Sequence, residues 1–353
     1  MTVAVYLKSK KLWENGSLEN AILQLAQTNK NVRFILLSPF LLQKQLQKDG
    51  VTLLKVPSLF ASNTFSKFAF QFLLSRIVKK HDVTDFITEE LVDLPKLKIN
   101  YYWYASSVHY NESFFKPDNT TRLDSFCSRM QAIAVTDDLM HSLLANSQLK
   151  SLLPIIQVGL PMVATQQVIE SDSNAESPFF FCKANRLTLS EITIILKAFS
   201  IFKKRTKSSA TLQLIIDANE QAAFMKKLTS YKFRGDIIVS VDVKITKSES
   251  HNLLACICMD AFPHVPYVLE KLQAELSVIL RDGKYKLLFK DAVLYAALNE
   301  KDLADAMILL YNNEQISKVL KINATGLVQW HQIENATNNL WQLLKVSAVD
   351  SPM

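Results

Sequence analysis

The chain has 353 residues, which is too long for one small core and suits two domains of ordinary size. Hydrophobic residues make up 49% and charged residues 21%, so a disordered chain is excluded, and the absence of a glycine period or heptad excludes collagen-like and coiled-coil arrays. The net charge of +7 is modest and spread over both halves, which argues against a nucleic-acid-binding domain or tail.

Short apolar runs alternate with helical patterns from the first residues onward. This alternation is typical of an α/β protein with parallel sheets. In the first half, the runs predict strands at residues 3–7, 32–38, 51–56, 85–88, 99–104, 132–136 and 155–158. Helices are predicted at residues 17–28, 39–48, 65–80 and 137–145, the last of which Thr136 or Asp137 would cap.

A polar, serine-rich segment at residues 168–177 predicts a linker, after which the alternation starts again. Strands are predicted at residues 179–182, 212–216, 236–241, 256–259, 277–280 and 293–296. Helices are predicted at residues 189–205, 220–231, 248–255, 267–275 and 301–311, with two more to about residue 345. We therefore expect an N-terminal domain at 1–167, a C-terminal domain at 178–333, and a helix and tail at 334–353 that packs back on the N-terminal domain.

The N-terminus begins directly with a short apolar strand, and no segment approaches 18 uninterrupted apolar residues. We therefore expect a cytoplasmic protein without a membrane span. The four cysteines form no C-x-x-C pair and are interpreted as structural thiols in a reducing compartment. The six histidines are scattered and no D-x-D pair stands at a strand end, so we expect no metal site.

The second half carries a resemblance to a known family. The stretch FFFCKANRLTLSEITIILKAFSIFKKRTKSSATLQLII at 179–216 resembles the opening of the C-terminal domain in bacterial family-four glycosyltransferases. The stretches FPHVPYVLEKLQAELSVI at 262–279 and KDAVLYAALNEKDLADAMILLYNNEQISKVL at 290–320 are similar to its donor-binding part and closing helix. Fainter similarity occurs at 101–115, 132–144 and 155–162.

The resemblance implies a GT-B-like α/β fold of two doubly wound, Rossmann-like domains that face each other across a cleft. It implies retaining transfer of a sugar from a nucleotide-sugar donor, without a cofactor, onto an acceptor such as a glycan or lipid-linked glycan. Ligands would bind at the carboxyl ends of the strands.

Four residues are candidates for the donor site. Arg186 matches the family's phosphate-binding arginine, and Glu270 matches the second glutamate of its E-x7-E motif. Lys183 could replace the family's lysine, and His264 precedes Glu270 in a proline-flanked loop. Cations suit the charge of a departing nucleoside diphosphate, and a carboxylate suits ribose hydroxyls. Ordinary alternatives remain open: a surface arginine, a solvated helix glutamate, a strand-end lysine and an incidental loop histidine.

The sequence departs from the family pattern at several functional positions. Phe262 replaces the first glutamate, and Trp103-Tyr104 replaces the family's His-Asp step. No residue from 189 to 191 is basic, and Gly16 alone remains of a glycine-rich loop. On the acceptor side, His109 and Gly16 are the candidates. Two hypotheses follow: an active transferase, or a catalytically degenerate scaffold that acts as a binding or helper protein. A small-molecule-binding protein of similar architecture is a third.

The segment at 59–80 combines aromatic and basic residues. As an amphipathic helix, it would touch an anionic membrane surface through Phe65, Phe68, Phe72, Arg76, Lys79 and Lys80. The preferred interpretation is a core helix whose basic end complements its dipole.

Overall fold

The computed structural model describes residues 1–7, 18–39, 50–56, 65–106, 123–145, 147, 153–163, 177–241, 252–261 and 263–349. The chain divides into two compact units. The first unit comprises Met1–Val163 together with Gln329–Met353, and the second comprises Ala164–Val328. Each is built on its own sheet of parallel strands.

The first unit contains a seven-stranded parallel sheet in the order β3-β2-β1-β4-β5-β6-β7. Its strands are β1 Thr2–Tyr6, β2 Arg33–Ser38, β3 Val51–Lys55, β4 Asp85–Thr88, β5 Asn100–Ala105, β6 Ala132–Val135 and β7 Ile155–Gln157. Its helices are α1 Leu18–Thr28, α2 Phe65–His81, α3 Asp138–Ala145 and, from the end of the chain, α10 Ile333–Val349. Most strand residues are buried, as expected where helices cover both faces of a parallel sheet.

Successive residues of β1 enter two different cores, because side chains alternate across a strand. Ala4 and Tyr6 join one cluster, which includes Phe70 and Leu74 of α2. Val3 and Val5 join the other cluster on the opposite face. That second cluster holds side chains of both α1 and α10: Ile22, Leu25, Leu340, Leu343 and Leu344.

The C-terminal segment is fixed to the first unit just before α10. Leu160 N–H donates to Nδ1 of the buried His331 at 2.9 Å, and Met162 N–H donates to the His331 carbonyl oxygen at 2.9 Å. Gly159 has φ +83°, and a Cβ at this position would lie 2.8 Å from the Trp330 carbonyl oxygen. A side chain is therefore excluded here by both conformation and space.

The second unit contains a six-stranded parallel sheet in the order β10-β9-β8-β11-β12-β13. Its strands are β8 Phe179–Lys183, β9 Thr211–Ile215, β10 Ile237–Ser240, β11 Leu253–Cys258, β12 Val278–Arg281 and β13 Leu294–Ala296. Its helices are α4 Leu189–Thr206, α5 Gln221–Leu228, α6 Val265–Gln273, α7 Lys286–Phe289 and α8 Glu300–Asn312, while α9 Glu314–Trp330 runs to the boundary with the first unit. The core lies around Phe180, Phe199 and Phe202.

The order of the strands agrees with the sequence expectation, whereas the short helix α7 was not predicted and one predicted helix is corrected. The helix predicted at 248–255 is wrong in its described part, because Leu253, Leu254 and Ala255 belong to strand β11. The apolar run LLACIC is short, and periodicity alone does not separate a buried strand from a helix in such a run. The helix predicted at 39–48 and most of the linker predicted at 168–177 lie outside the described residues. The first unit resumes at Gln329 rather than at 334.

Two smaller predictions are confirmed by contacts. Asp137 caps α3, since its Oδ1 accepts a hydrogen bond from Met140 N–H at 2.8 Å. The four cysteines, Cys127, Cys182, Cys256 and Cys258, are all buried free thiols. Burial raises the pKa of Cys256 to about 12, so this thiol stays protonated.

Candidate functional site

Each sheet has a point where the strand order reverses. In the first unit β1 lies between β2 and β4, and in the second unit β8 lies between β9 and β11. Ligands of open parallel α/β sheets bind beyond the carboxyl ends of the two strands that flank such a switch point. The second unit's switch point therefore lies after β8 and β11.

Charged side chains gather at the switch point of the second unit. Asp260 follows β11 and is half-buried, and its Oδ1 is buried without a hydrogen-bond partner in the part of the chain that the structure describes. Burial raises the pKa of Asp260, and the Glu191 charge adds to this increase, while the charges of Arg186, Lys183 and Arg281 act in the opposite direction. Lys183 ends β8, Arg186 lies in the next turn, and Arg281 ends β12. Three cations thus act on the pKa of one carboxyl group.

A second carboxylate lies within this cluster. Arg281 Nη1 is 3.2 Å from Glu191 Oε1 and also donates to the Met259 carbonyl oxygen at 3.4 Å. Glu191 belongs to the capping box of α4, in which its Oε2 accepts from Thr188 N–H at 2.9 Å. This backbone hydrogen bond, together with the Thr188 hydroxyl and Arg281, lowers the pKa of Glu191.

Helix α6 begins beside the same switch point. His264 caps it, since Nδ1 accepts from Tyr267 N–H at 3.3 Å, and Pro266 stands in its first turn. The Tyr267 ring centroid lies 5.2 Å from Lys183 Nζ and 4.8 Å from Lys271 Nζ. Its hydroxyl is buried, without a hydrogen-bond partner among the described residues, and burial raises its pKa. The charge of Glu270, which is half-buried on α6, also contributes to the raised pKa of Tyr267.

The structure therefore brings two of the sequence candidates, Lys183 and Arg186, to one carboxyl group. His264 and Glu270 lie on the neighbouring helix, where His264 has a capping role. Sequence reasoning missed Asp260, Arg281 and the pairing of Glu191. The first two were visible as charged residues at the carboxyl ends of apolar strands, CICMD and VILR.

The remaining candidates lie elsewhere. His109, Gly16 and Phe262 fall outside the described residues. Trp103 is fully buried on β5 in the core of the first unit, with its ring centroid 5.6 Å from that of Phe126. It therefore fills a core position.

Helix α2 packs as a core helix through Phe70, Leu74 and Ile77, which are buried. Phe72 is 73% exposed. Arg76, Lys79 and Lys80 on the same helix are also exposed, while the side chains of Phe65 and Phe68 are not described. Among the helices of the described residues, none is long and apolar enough to cross a membrane.

No family model matches this sequence, and no curated protein matches it. Solved structures do match over nearly the whole chain. A glycosyltransferase from Rickettsia africae superposes with a TM-score of 0.72 at 12% identity, covering 99% of both chains. The lipopolysaccharide outer core galactosyltransferase WaaB has a TM-score of 0.68 at 10% identity, with 98% of this chain and 100% of that chain covered.

A third match is Anabaena HepE in complex with UDP and glucose. Its TM-score is 0.64 at 10% identity, with 98% of this chain and 100% of the HepE chain covered. These three neighbours are GT-B glycosyltransferases, and a UDP-N-acetylglucosamine 2-epimerase from Listeria monocytogenes shares the fold with a TM-score of 0.62 at 9% identity. The chain has the GT-B fold with two Rossmann-like domains.

Proposed function

We propose that the chain is a glycosyltransferase-like protein that binds a nucleotide-sugar at the switch point of the second unit. It would transfer the sugar, with retention of configuration, to a glycan or lipid-linked acceptor. The observation that carries this proposal is the convergence of Lys183, Arg186 and Arg281 on Asp260. Support also comes from the fold shared with WaaB and with HepE, which holds UDP and glucose.

The chemistry of the cluster suits this substrate class. When a sugar leaves a nucleotide-sugar, negative charge develops on the diphosphate, and fixed cations at that point stabilise it. Lys183 and Arg186 enter the site from β8 and the turn after it, and Arg281 enters from β12. Asp260 is only half-buried, and its carboxyl group is of a type that forms hydrogen bonds with hydroxyl groups of a ligand.

A second candidate function is a binding or helper role without turnover. Three cations and two carboxylates leave the cluster a formal charge of only +1 when both carboxylates are ionised. At the start of α6, Pro266 has no N–H, and the Tyr267 N–H already donates to His264. Fewer donors therefore remain for a diphosphate than a helix N-terminus usually offers.

The melting temperature of the full-length protein tests nucleotide binding. UDP, GDP, ADP and their sugars are added to wild type, to Arg186→Ala and to Arg205→Ala. Arg205 is a matched control, because its surface ion pair with Asp305, at 2.6 Å, lies at the other end of α4. A nucleotide at 100 times its dissociation constant adds about 2.7 kcal/mol of stability, which Arg186→Ala should abolish and Arg205→Ala should retain. An equal shift in all three proteins would contradict the assignment of this site.

Turnover separates the two candidate functions. The stabilising nucleotide-sugar is incubated with a bacterial glycolipid extract, and the release of free nucleoside diphosphate is measured by chromatography. Release by wild type and not by Arg186→Ala supports the transferase. Binding without any release favours the helper role.

Peripheral contact with the cytoplasmic face of a membrane forms part of the proposal. The exposed Phe72, with Arg76, Lys79 and Lys80 on the same helix, supports it. Flotation with anionic vesicles tests this contact. Phe72→Ser should weaken the binding, and zwitterionic vesicles should bind neither protein.

A further inference from the structure

One ion pair at the switch point of the second unit has no part in the proposed function. Arg281, at the end of β12, lies 3.2 Å from Glu191 through its Nη1 and the glutamate Oε1. The same Nη1 donates to the Met259 carbonyl oxygen at 3.4 Å, which holds the guanidinium beside the end of β11. The side chains of Arg281 and Glu191 are 31% and 24% exposed. Ligands in solution can therefore reach both groups.

Glu191 is an anion that already occupies the N-terminus of α4. Its Oε2 accepts hydrogen bonds from the N–H and from the hydroxyl of Thr188, both at 2.9 Å. These bonds, together with Arg281, lower the pKa of Glu191, so the carboxylate is charged at neutral pH. A helix N-terminus favours an anion, whether a carboxylate of the chain or a phosphate of a ligand. Glu191 therefore places a fixed negative charge beside the proposed phosphate site.

The other charges at this switch point determine what Glu191 does to a bound phosphate. Glu191 and Arg281 both act on the pKa of Asp260. Arg186 and Lys183 act on the same carboxyl group. A phosphate attracted by Arg186 and Lys183 is thus within range of the Glu191 charge, which Arg281 offsets only in part. The cations hold an anion, while the carboxylate penalises each further negative charge on it.

Nucleotide-sugars and free nucleoside diphosphates differ in the charge of the terminal phosphate. In a nucleotide-sugar this phosphate is linked on both sides and has no second proton to lose. In the free nucleotide it is linked on one side and loses a second proton with a pKa of about 6. At neutral pH the free nucleotide therefore carries about one more negative charge, and a fixed carboxylate nearby weakens its binding more.

We propose that Glu191 makes the nucleotide site select nucleotide-sugars over free nucleoside diphosphates. This inference rests on the proposed function, because it assigns a selectivity to that same site. Arg281 positions the carboxylate, and Glu191 acts on the terminal phosphate through its charge. In an active transferase, this charge favours release of the nucleoside diphosphate once the sugar has left. In a helper protein, it makes the chain respond to a nucleotide that carries a sugar and not to one that has lost it.

Titration calorimetry on the full-length protein measures the two dissociation constants. UDP is compared with UDP-glucose, GDP with GDP-mannose and ADP with ADP-glucose, at pH 5 and at pH 7.5. The proteins are wild type, Glu191→Gln, Glu191→Asp and Glu314→Gln. Gln serves as well as Glu at this position of a capping box, so Glu191→Gln removes the charge and keeps the cap. Glu314 is a matched control, because it also lies in the first turn of a helix and pairs with a lysine, Lys318, at 3.0 Å.

The measured quantity is the dissociation constant of the free nucleotide divided by that of its sugar conjugate. At pH 7.5 we expect this ratio to fall about tenfold in Glu191→Gln, because the extra charge is no longer repelled. At pH 5 the ratio should change little, since the terminal phosphate keeps its second proton. Glu191→Asp, which retains the charge, and Glu314→Gln should keep the wild-type ratio.

Two outcomes would overturn this inference and leave the nucleotide site in place. One is an equal ratio in wild type and Glu191→Gln at pH 7.5. The other is a change of the same size at both pH values, which would mean that Glu191 shapes the site without selecting by charge. If no nucleotide binds to any of the proteins, the proposed function fails and the inference fails with it. Should Glu191→Gln not fold, Glu191→Ser replaces it, because the Thr188 hydroxyl still accepts from the N–H of residue 191 at 3.3 Å.

Discussion

Replacing Glu19 by Gln should change how the stability of the first unit depends on pH. In the first turn of α1, burial and the added charge of Glu89 give Glu19 a folded-state pKa of about 8, above the ordinary value of 4.5. As pH rises through this window, the unfolded chain releases the Glu19 proton and the folded chain retains it, so wild type loses stability. At about 1.4 kcal/mol per pH unit, the loss approaches about 5 kcal/mol, which is an upper bound because the two glutamates titrate together. Gln has the same shape and no proton to lose. The variant should match wild type near pH 4.5 and exceed it by several kcal/mol at pH 8.

Urea unfolding followed by tryptophan fluorescence measures this difference in stability, because the fluorescence reports on the first unit. All four tryptophans belong to the first unit: Trp13, Trp103, Trp330 and Trp341. Glu314→Gln, in the second unit, should leave the pH profile unchanged. A difference between Glu19→Gln and wild type that stays flat from pH 5 to 8 would refute the reasoning. It would mean that Glu19 is already ionised in the folded protein.

Two further predictions concern buried polar groups. The buried Lys203 Nζ lies 3.0 Å from Asp236 Oδ2 and donates to the Ala210 carbonyl oxygen at 3.0 Å. Lys203→Met should therefore lower the free energy of unfolding by about 2 kcal/mol, as measured by urea unfolding followed by circular dichroism. An unchanged free energy of unfolding would mean that the ion pair adds nothing beyond packing. Burial lowers the pKa of His331 from 6.5 to about 4. As pH falls from 6.5 to 4, the unfolded chain binds a proton at this imidazole and the folded chain does not. The first unit should therefore lose about 3 kcal/mol of stability over this pH range. In His331→Asn the amide Oδ1 occupies the place of Nδ1 and can still accept from Leu160 N–H, so the acid limb of the fluorescence profile should flatten. An unchanged limb would assign the acid loss to other groups.

Much of the fold was predictable because parallel strands buried on both faces produce continuous apolar runs. Runs such as those around Val3–Val5 and Phe179–Cys182 therefore indicate strands from their residue types alone. The run Leu253–Cys258 was harder to assign from the sequence, since six consecutive apolar residues are compatible with a helix as well as with a strand. The return of the C-terminal helix to the N-terminal domain was among the expectations, but the contacts that precede α10, at Gly159 and His331, are tertiary and leave no local pattern.

The candidate site was predictable only in part. Lys183 ends one strand and Arg186 follows it, within a stretch that resembles a known family, so both residues could be named from the sequence. Asp260 and Arg281 become neighbours of these residues only through the strand order, which a sequence does not state. Glu19 resembles an ordinary acidic residue in the first turn of a helix, a favourable position for its charge. Its burial beside Glu89 depends on the pairing of β1 with β4.

The position of α10 has a consequence for how the protein is made. During synthesis, the whole second unit, Ala164–Val328, leaves the ribosome before α10 does. Its strands and helices form one continuous segment, so this unit needs no residue of α10 in order to fold. The first unit must wait, because Leu340, Leu343 and Leu344 complete the core that β1 begins. A released chain truncated before residue 333 would thus carry a complete second unit and an open first one, which makes it a substrate for chaperones and proteases.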